Sequence, residues 1–378
     1  MTLSGPAFGR RIAELRTSMV ASAVDAFVVT SRPNLFYLTG FDGSAGAALI
    51  RPTRAFLMVD FRYLTAARDM LAARGERAIA LERVDGDHDE AIVALLEREG
   101  AQRIGVEAES MSIGRFTRLS TALASAASPG VDGSGCPALV PLERLVESMR
   151  AVKDDWEIAV LREAARRLSA VAREIPALAR EGREEVEIAD DINAAIRRAG
   201  FSRPAFETIV ASGPNSALPH ARPGRRRLQS GDGVVLDFGG VYDGYCVDLT
   251  RTIQVGRWRP DFRRIFDAVL EAQRTAIAAV RPGVSGRSLD RAARDVLTRH
   301  GLGDAFGHGT GHGLGLEVHE EPRISRTAPD SDGALAPGMV FTIEPGAYVA
   351  GTGGVRIEDD VLVTEGGCEV LTDVPKEI

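Results

Sequence analysis

Lysine is almost missing from this 378-residue chain: it occurs only at Lys153 and Lys376, and the rest of the basic side-chain charge is arginine. Schiff-base and pyridoxal chemistry need a buried lysine amine. One lysine in an apparent linker and another two residues from the chain end argue against both. Cysteine is scarce too. Cys136, Cys246 and Cys368 are odd in number and widely spaced, which speaks against a disulfide framework and a thiolate zinc site and reads as reduced, structural thiols. No apolar run approaches the roughly 20 residues a membrane span requires. Met1 to Arg16 lacks an apolar segment with a cleavage site, so no secretion signal is read there and the cytoplasm is the expected location. A positive field is also lacking. With a net charge of -7 nothing favours phosphate backbones, so neither nucleic acid nor membrane is an expected partner, and Arg225-Arg226-Arg227 reads as a solvated loop.

What is present is an ordinary globular composition, 44% hydrophobic and 26% charged, in a chain too long for one ordinary domain. The pattern predicts an α+β protein with an α/β domain over 1–145 and a catalytic domain over 146–378. In the first, Ala26 to Thr30, Ala47 to Ile50, Ala55 to Val59 and Arg103 to Glu107 read as strands, and His88 to Glu99 and Ser112 to Ala124 as helices. The stretch from Ala124 to Gly135, rich in Ala, Ser and Gly, loosens the pattern before Pro137. In the second, Asp154 reads as the cap of a helix, and Val186 to Arg198 as a further helix ending at Gly200. Strands are predicted over Phe206 to Val210, Gly233 to Phe238 and Cys246 to Val255. Helices near Phe262 to Val280 and Ser288 to His300 follow, then strands near Met339 to Glu344 and Val355 to Val363. Two helices followed by strands, twice over, predict two similar halves with a site between them.

Three motifs carry chemistry. Two β-rich runs around Asp243-Gly244 read as a hairpin. With those two residues as the turn, Asp237 faces Thr250 and lies diagonal to Asp248; a turn one place earlier sets the aspartates opposite each other. Either register puts both carboxylates on one face, where a buried pair needs a shared proton or a cation. On this segment alone an exposed polar face serves as well. The second motif runs from Gly307 to Glu320 and holds His308, His312 and His319. His308 and His312 are four apart, yet alternating glycines would cost a helix about 1 kcal/mol each. They suit instead an extended strand whose thin backbone approaches a ligand or another strand closely. The third motif is a pair of apolar strands, Phe341-Thr342-Ile343-Glu344 before Pro345-Gly346, and Gly354 to Asp360 with Arg356 and Glu358 on one face. Arg356 beside Glu358 also reads as a plain salt bridge. One imidazole and four carboxylates form a hard, oxygen-rich set suited to paired Mn, Fe, Co or Zn.

Together these motifs resemble the pita-bread metallopeptidases, in the branch of the Xaa-Pro aminopeptidases and Xaa-Pro dipeptidases (prolidases). Asn34 to Phe41 and Asp60 to Ala67 are similar to the creatinase-like N-terminal domain of that branch. The resemblance implies a creatinase-like α/β domain followed by a pseudo-symmetric pita-bread catalytic domain, a homodimer, and two divalent metal ions, manganese expected before cobalt, zinc or iron. It implies that Asp237 holds one ion, His312 and Glu344 the other, and that Asp248 and Glu358 bridge them. It places His220 beside the scissile carbonyl, Glu344 and His319 in proton transfer, and His308 and His319 around proline with Tyr348 and Arg356 nearby; Thr250 could support the ligands. The implied reaction is hydrolysis of the Xaa-Pro bond at a peptide's N-terminus by a water held between the ions. An aminopeptidase is expected before a dipeptidase, because little sequence follows the last strand to close the pocket. Creatinase-like hydrolysis without metal, a methionine aminopeptidase, and a non-catalytic binding module of the same fold are rivals; the first and last predict eroded ligands, and the second lacks the first domain.

Overall fold

The fold is that of a computed structural model, in which residues 5–74, 78–126, 137–329 and 334–377 are described. Cys136 and most of the Ala/Ser/Gly-rich stretch lie outside the described residues. The chain divides into two compact units, Met1–Arg150 and Ala151–Ile378.

In the first unit the short apolar runs become strands covered on both faces. Strands β1 (Ala26–Val29), β2 (Ala47–Ile50) and β3 (Ala55–Asp60) are buried at every position. With β4 (Ile79–Val84), β5 (Arg103–Glu107) and β6 (Ala138–Leu142) they form one sheet in the order β4-β3-β2-β1-β5-β6. Its pairs are parallel except where β2 meets β1 and β3. The helices are α1 (Phe8–Ala21), α2 (Arg32–Thr39), α3 (Leu64–Ala73), α4 (His88–Arg98), α5 (Ile113–Ala126) and α6 (Leu145–Ala151). A buried carboxylate organises one end of the sheet. Glu107 accepts from the Thr30 and Ser31 amides at 2.7 and 2.8 Å and from Asn34 Nδ2 at 2.8 Å, which anchors the start of α2.

The second unit opens on α7 (Asp155–Ala172), whose cap is reciprocal: Asp154 accepts from the Glu157 amide and Glu157 from the Asp154 amide, both at 3.0 Å. Helices α8 (Ile175–Leu178) and α9 (Glu185–Arg198) precede strands β7 (Arg203–Pro204), β8 (Ile209–Ser212), β9 (Gly233–Tyr242) and β10 (Tyr245–Gln254). Asp243 and Gly244 both have positive φ, 47° and 87°, as a two-residue hairpin turn matched to strand twist requires. The order then repeats with α10 (Pro260–Ala279), α11 (Gly286–Arg299), β11 (Gly311–Gly313), β12 (Glu320–Ile324), β13 (Val340–Ile343), β14 (Gly346–Val349), β15 (Gly353–Arg356), β16 (Asp359–Thr364) and β17 (Gly367–Val370). One sheet runs β12-β11-β13-β16-β17, and among the described residues β14 and β15 form a two-stranded sheet. Phe262, Phe266 and Val269 of α10 and Leu289 and Val296 of α11 bury themselves with Phe341, Ile343, Val355 and Val361 of these strands. The two helix-then-strand halves expected from the sequence are present.

Four readings change. The strand predicted over Phe206 to Val210 starts at Ile209, where pairing with β9 begins, and Phe206 lies before it on the wall of a cavity. The run Val355 to Val363 is not one strand: it passes from β15 to β16, in different sheets, across Ile357 and Glu358. Arg225-Arg226-Arg227 is not merely solvated. Arg226 donates to Asp232 at 2.5 and 2.9 Å and to Ser212 Oγ at 2.6 Å, and Arg227 to Glu184 at 2.6 Å. Nor is either lysine loose. The Lys153 side chain is fully buried with its amine 3.6 Å from Glu320, and Lys376 meets Asp359.

Candidate active site

Parity brings the hairpin carboxylates together. In the unbroken β9/β10 ladder Asp237 pairs with Thr250 and Asp248 with Gly239; residues two apart share a face, so Asp237, Asp248 and Thr250 look the same way. This is the register set by a turn at Asp243-Gly244. All three are buried.

The glycine-rich segment supplies the imidazole from a strand. Gly311 and Gly313 leave no room for a side chain: a Cβ on Gly311 would lie 1.8 Å from Thr342 O, and one on Gly313 2.0 Å from Glu321 O. Only bare backbone fits between β12 and β13 here, and His312 projects from it. Its Nδ1 lies 3.1 Å from Gly313 O, so Nδ1 carries the proton and Nε2 presents a lone pair, 3.4 Å from Glu344 Oε1. Burial holds the His312 pKa below the ordinary imidazole value, which keeps it the neutral donor a metal needs. The segment before it is braced from α11. Asp290 accepts from the Thr310 amide and hydroxyl at 3.1 and 3.0 Å, and Arg294 ties Asp290 to the His308 and Phe306 carbonyls. Thr310 O in turn accepts from the Glu344 amide at 2.7 Å.

Arg356 is the hub of the opposite wall. Its Nη2 donates to Asp237 Oδ2 at 2.5 Å, its Nη1 to the Tyr348 hydroxyl at 2.7 Å and to Pro219 O at 3.2 Å, and its Nε to Thr250 Oγ1 at 3.2 Å. The Tyr348 hydroxyl then donates to His308 Nε2 at 3.0 Å, since His308 Nδ1 gives its proton to Gly309 O at 2.7 Å. Glu358 sits where the ladder is interrupted, and its Oε2 accepts from Thr250 Oγ1 at 2.5 Å. Burial pushes the Tyr348 phenol up to about 12. Partial burial, then the neighbouring His312 and His220, bring His319 down to about 4.

Whether these side chains fit a metal can be tested on their free valences. Asp237 Oδ1, Asp248 Oδ1 and Glu358 Oε1 are buried with no hydrogen-bond donor among the described residues, and a desolvated carboxylate oxygen without a partner is costly. Burial first, and then the crowd of neighbouring carboxylates, push Asp248 and Glu358 well above the ordinary carboxyl range, and burial raises Glu344. Ligand atoms of Asp248, His312 and Glu358 lie within 4.8 Å of one another. A divalent cation among them would answer the orphaned oxygens and relieve the repulsion together, and an imidazole with carboxylates is a donor set such ions accept. The residues fit.

All of this opens on one cavity of about 580 Å³. Asp237, Asp248, His312, Glu344, Glu358, His220, His308, His319 and Arg356 reach its wall; Tyr348 does not, and stands behind His308 and Arg356. Sequence reasoning passed over Asp290 and Arg294, which are legible only as an acid and a base four apart on a helix. It also passed over Thr342, which accepts from the His312 amide at 3.1 Å, and Asp360, which accepts from the Asp248 amide at 3.1 Å.

Against known proteins, the model of metallopeptidase family M24 matches residues 159–365 and that of the creatinase/prolidase N-terminal domain residues 11–152. An Xaa-Pro dipeptidase of Pyrococcus horikoshii is 34% identical over 95% of this chain and 96% of its own. The structure of an Xaa-Pro dipeptidase from Bacillus anthracis superposes with a TM-score of 0.90 at 36% identity, covering 98% of this chain and 99% of that one. An X-Pro aminopeptidase from Thermotoga maritima superposes with a TM-score of 0.83 at 35% identity, covering 94% and 97%.

Proposed function

The chain belongs to metallopeptidase family M24, with a creatinase-like domain before a pita-bread catalytic domain, and from that premise we propose that it hydrolyses Xaa-Pro dipeptides with two divalent ions, manganese first among them. The observation that carries the reading is the meeting of Asp237, Asp248, His312, Glu344 and Glu358 on one cavity wall with three buried carboxylate oxygens left without donors among the described residues. These five residues would hold the ions. When bound, such ions polarise the peptide carbonyl and lower the pKa of a water near it.

The chain's own residues do the rest. His220, exposed on the cavity wall, donates to the oxygen of the scissile carbonyl as charge develops there. Glu344 takes the proton of the attacking water and returns it to the leaving nitrogen. That return matters for proline, whose nitrogen has no proton of its own. The relay from Arg356 through Tyr348 fixes the His308 ring, which together with His319 forms the wall against the proline ring.

The sequence inclined toward an aminopeptidase, yet the dipeptidase reading has the better support. The Xaa-Pro dipeptidases of P. horikoshii and B. anthracis resemble this chain along nearly its whole length, the second with a higher TM-score than the aminopeptidase of T. maritima. Initial rates of the manganese-loaded enzyme on Ala-Pro, Ala-Pro-Ala-Ala and Ala-Ala test it. Ala-Pro should be cut fastest. A faster tetrapeptide returns the aminopeptidase, and Ala-Ala cut as fast as Ala-Pro removes the preference for proline altogether.

A further inference from the structure

One charged side chain deep in the second unit belongs to no step above. Arg251 follows Thr250 on β10, so it points away from the cavity, and its side chain is 0% exposed. Each of its nitrogens is used. Nη1 donates to the carbonyls of Glu358 at 2.5 Å and Thr250 at 2.9 Å, Nη2 to Asp359 Oδ1 at 2.8 Å and Val374 O at 2.9 Å, and Nε to Pro375 O at 3.0 Å. Asp359 is shared further, with Thr372 Oγ1 at 2.8 Å, Gln273 Nε2 at 2.6 Å and the Lys376 amine. The segment 372–376 and the backbone of Glu358 are thus tied to one guanidinium.

Burying a guanidinium and a carboxylate is a poor way to gain stability alone, because desolvation offsets most of their attraction and apolar residues of similar volume often do as well. What a planar fork with fixed donors offers is direction. Glu358 lies between β15 and β16, outside both ladders, so its main chain is set instead by the hydrogen bond its amide donates to Thr250 O at 3.1 Å and by Arg251 at its carbonyl. Its side chain leaves this pinned backbone toward Thr250 and the cavity.

We infer that Arg251, clasped to Asp359 and the segment 372–376, is a positioning residue for the divalent ions: it aims the Glu358 carboxylate by holding that residue's carbonyl from behind. The inference rests on Glu358 being a metal ligand, as proposed above. Arg251→Met keeps bulk and leaves Asp359 its bonds to Thr372, Gln273 and Lys376. It should raise the dissociation constant for Mn²⁺, measured by competition with a chromophoric chelator, about 10- to 100-fold, the range seen when a residue supporting a metal ligand is lost. At saturating Mn²⁺, kcat on Ala-Pro should return to within about threefold of the wild type. Arg251→Lys, with one ammonium in place of the fork, should recover only part of the affinity, and the milder Lys376→Met should weaken it about threefold. A structural role alone would lower the unfolding midpoint of metal-free Arg251→Met and leave Mn²⁺ affinity unchanged, and that result overturns the inference. If Arg251→Met does not fold, unchanged affinity in Arg251→Lys and Lys376→Met overturns it equally. A wild-type protein that binds no Mn²⁺ at all refutes the reading beneath it, and the inference falls with that reading.

Discussion

Replacing Gly311 by alanine adds one methyl group at the point where two metal-ligand candidates are held by the same strand pair. The new Cβ would lie 1.8 Å from Thr342 O and 2.8 Å from the carbonyl carbon behind it. An ordinary carbon–oxygen contact is about 3.3 Å, so β11 and β13 must part by about 1.5 Å or rotate. Overpacking a core costs about 1–3 kcal/mol. The obstacle here is backbone, which cannot change rotamer, so the cost should sit near about 3 kcal/mol, or roughly 6–12 °C in the midpoint of a unit of this size. Function should suffer more than stability. Thr342 Oγ1, carried on the displaced strand, accepts from the His312 amide at 3.1 Å and lies 3.4 Å from Glu344 Oε1, so both side chains move relative to each other. Gly307→Ala is the control, with no described residue within 4 Å of the added atom and an expected change within about 0.5 kcal/mol. Thermal unfolding and metal analysis of the two variants side by side decide the matter. If Gly311→Ala keeps the wild-type midpoint and metal content, the thin-wall account of the glycine-rich strand is wrong.

Other expectations concern the ions and their surroundings. Protein stripped by chelator should lose activity and regain it with Mn²⁺ or Co²⁺, and its unfolding midpoint should climb with free metal because the unfolded chain offers no assembled site; full turnover in protein shown metal-free by elemental analysis would contradict this. His220→Ala should lower kcat and kcat/KM together, by about 10²-fold or more if it supports the oxyanion, with metal content unchanged, and a lost metal equivalent would show it to be a ligand instead. Asp290→Ala frees Thr310 and leaves Arg294 only the Phe306 and His308 carbonyls, and should cost about 3 kcal/mol in denaturant unfolding. A loss under about 1 kcal/mol would mean that the α11 brace is dispensable.

The parts of this protein that were legible in its sequence are those where one local rule acts alone. The hairpin could be read because alternation and an Asp-Gly turn fix faces and register within a few residues, and Asp237 does pair with Thr250. The glycine strand could be read because five glycines exclude a helix. Where the outcome depends on a distant partner, the sequence is silent. Val355 to Val363 is apolar at both ends, and although the acidic run Glu358-Asp359-Asp360 in its middle is poorly suited to a strand, nothing local says that Ile357 and Glu358 cross between sheets. Arg251 reads as one more strand residue until segment 372–376 arrives from over a hundred positions away to meet it. Lys153 falls between two helices and reads as linker, yet it is buried beside Glu320, which lies in the opposite half of the domain. Tyr348 is polar and aromatic enough to line a pocket, but its hydroxyl is spent between His308 and Arg356.

The β9/β10 hairpin also determines where this protein can change in length. Its ten-residue ladder runs without a bulge from Gly233 opposite Gln254 to Tyr242 opposite Tyr245. One residue inserted anywhere between Asp237 and Tyr242 would have to be expelled as a bulge or would turn the aspartate to the far face. An insertion between Asp243 and Gly244 leaves every pair of the ladder in place, because it only lengthens the loop. That tip lies six residues from Asp237, about 20 Å along the strand, and Asp243 is exposed. It is therefore the natural place to engineer an affinity tag or a fluorophore into this domain, at a distance from the carboxylates and on the same rigid ribbon.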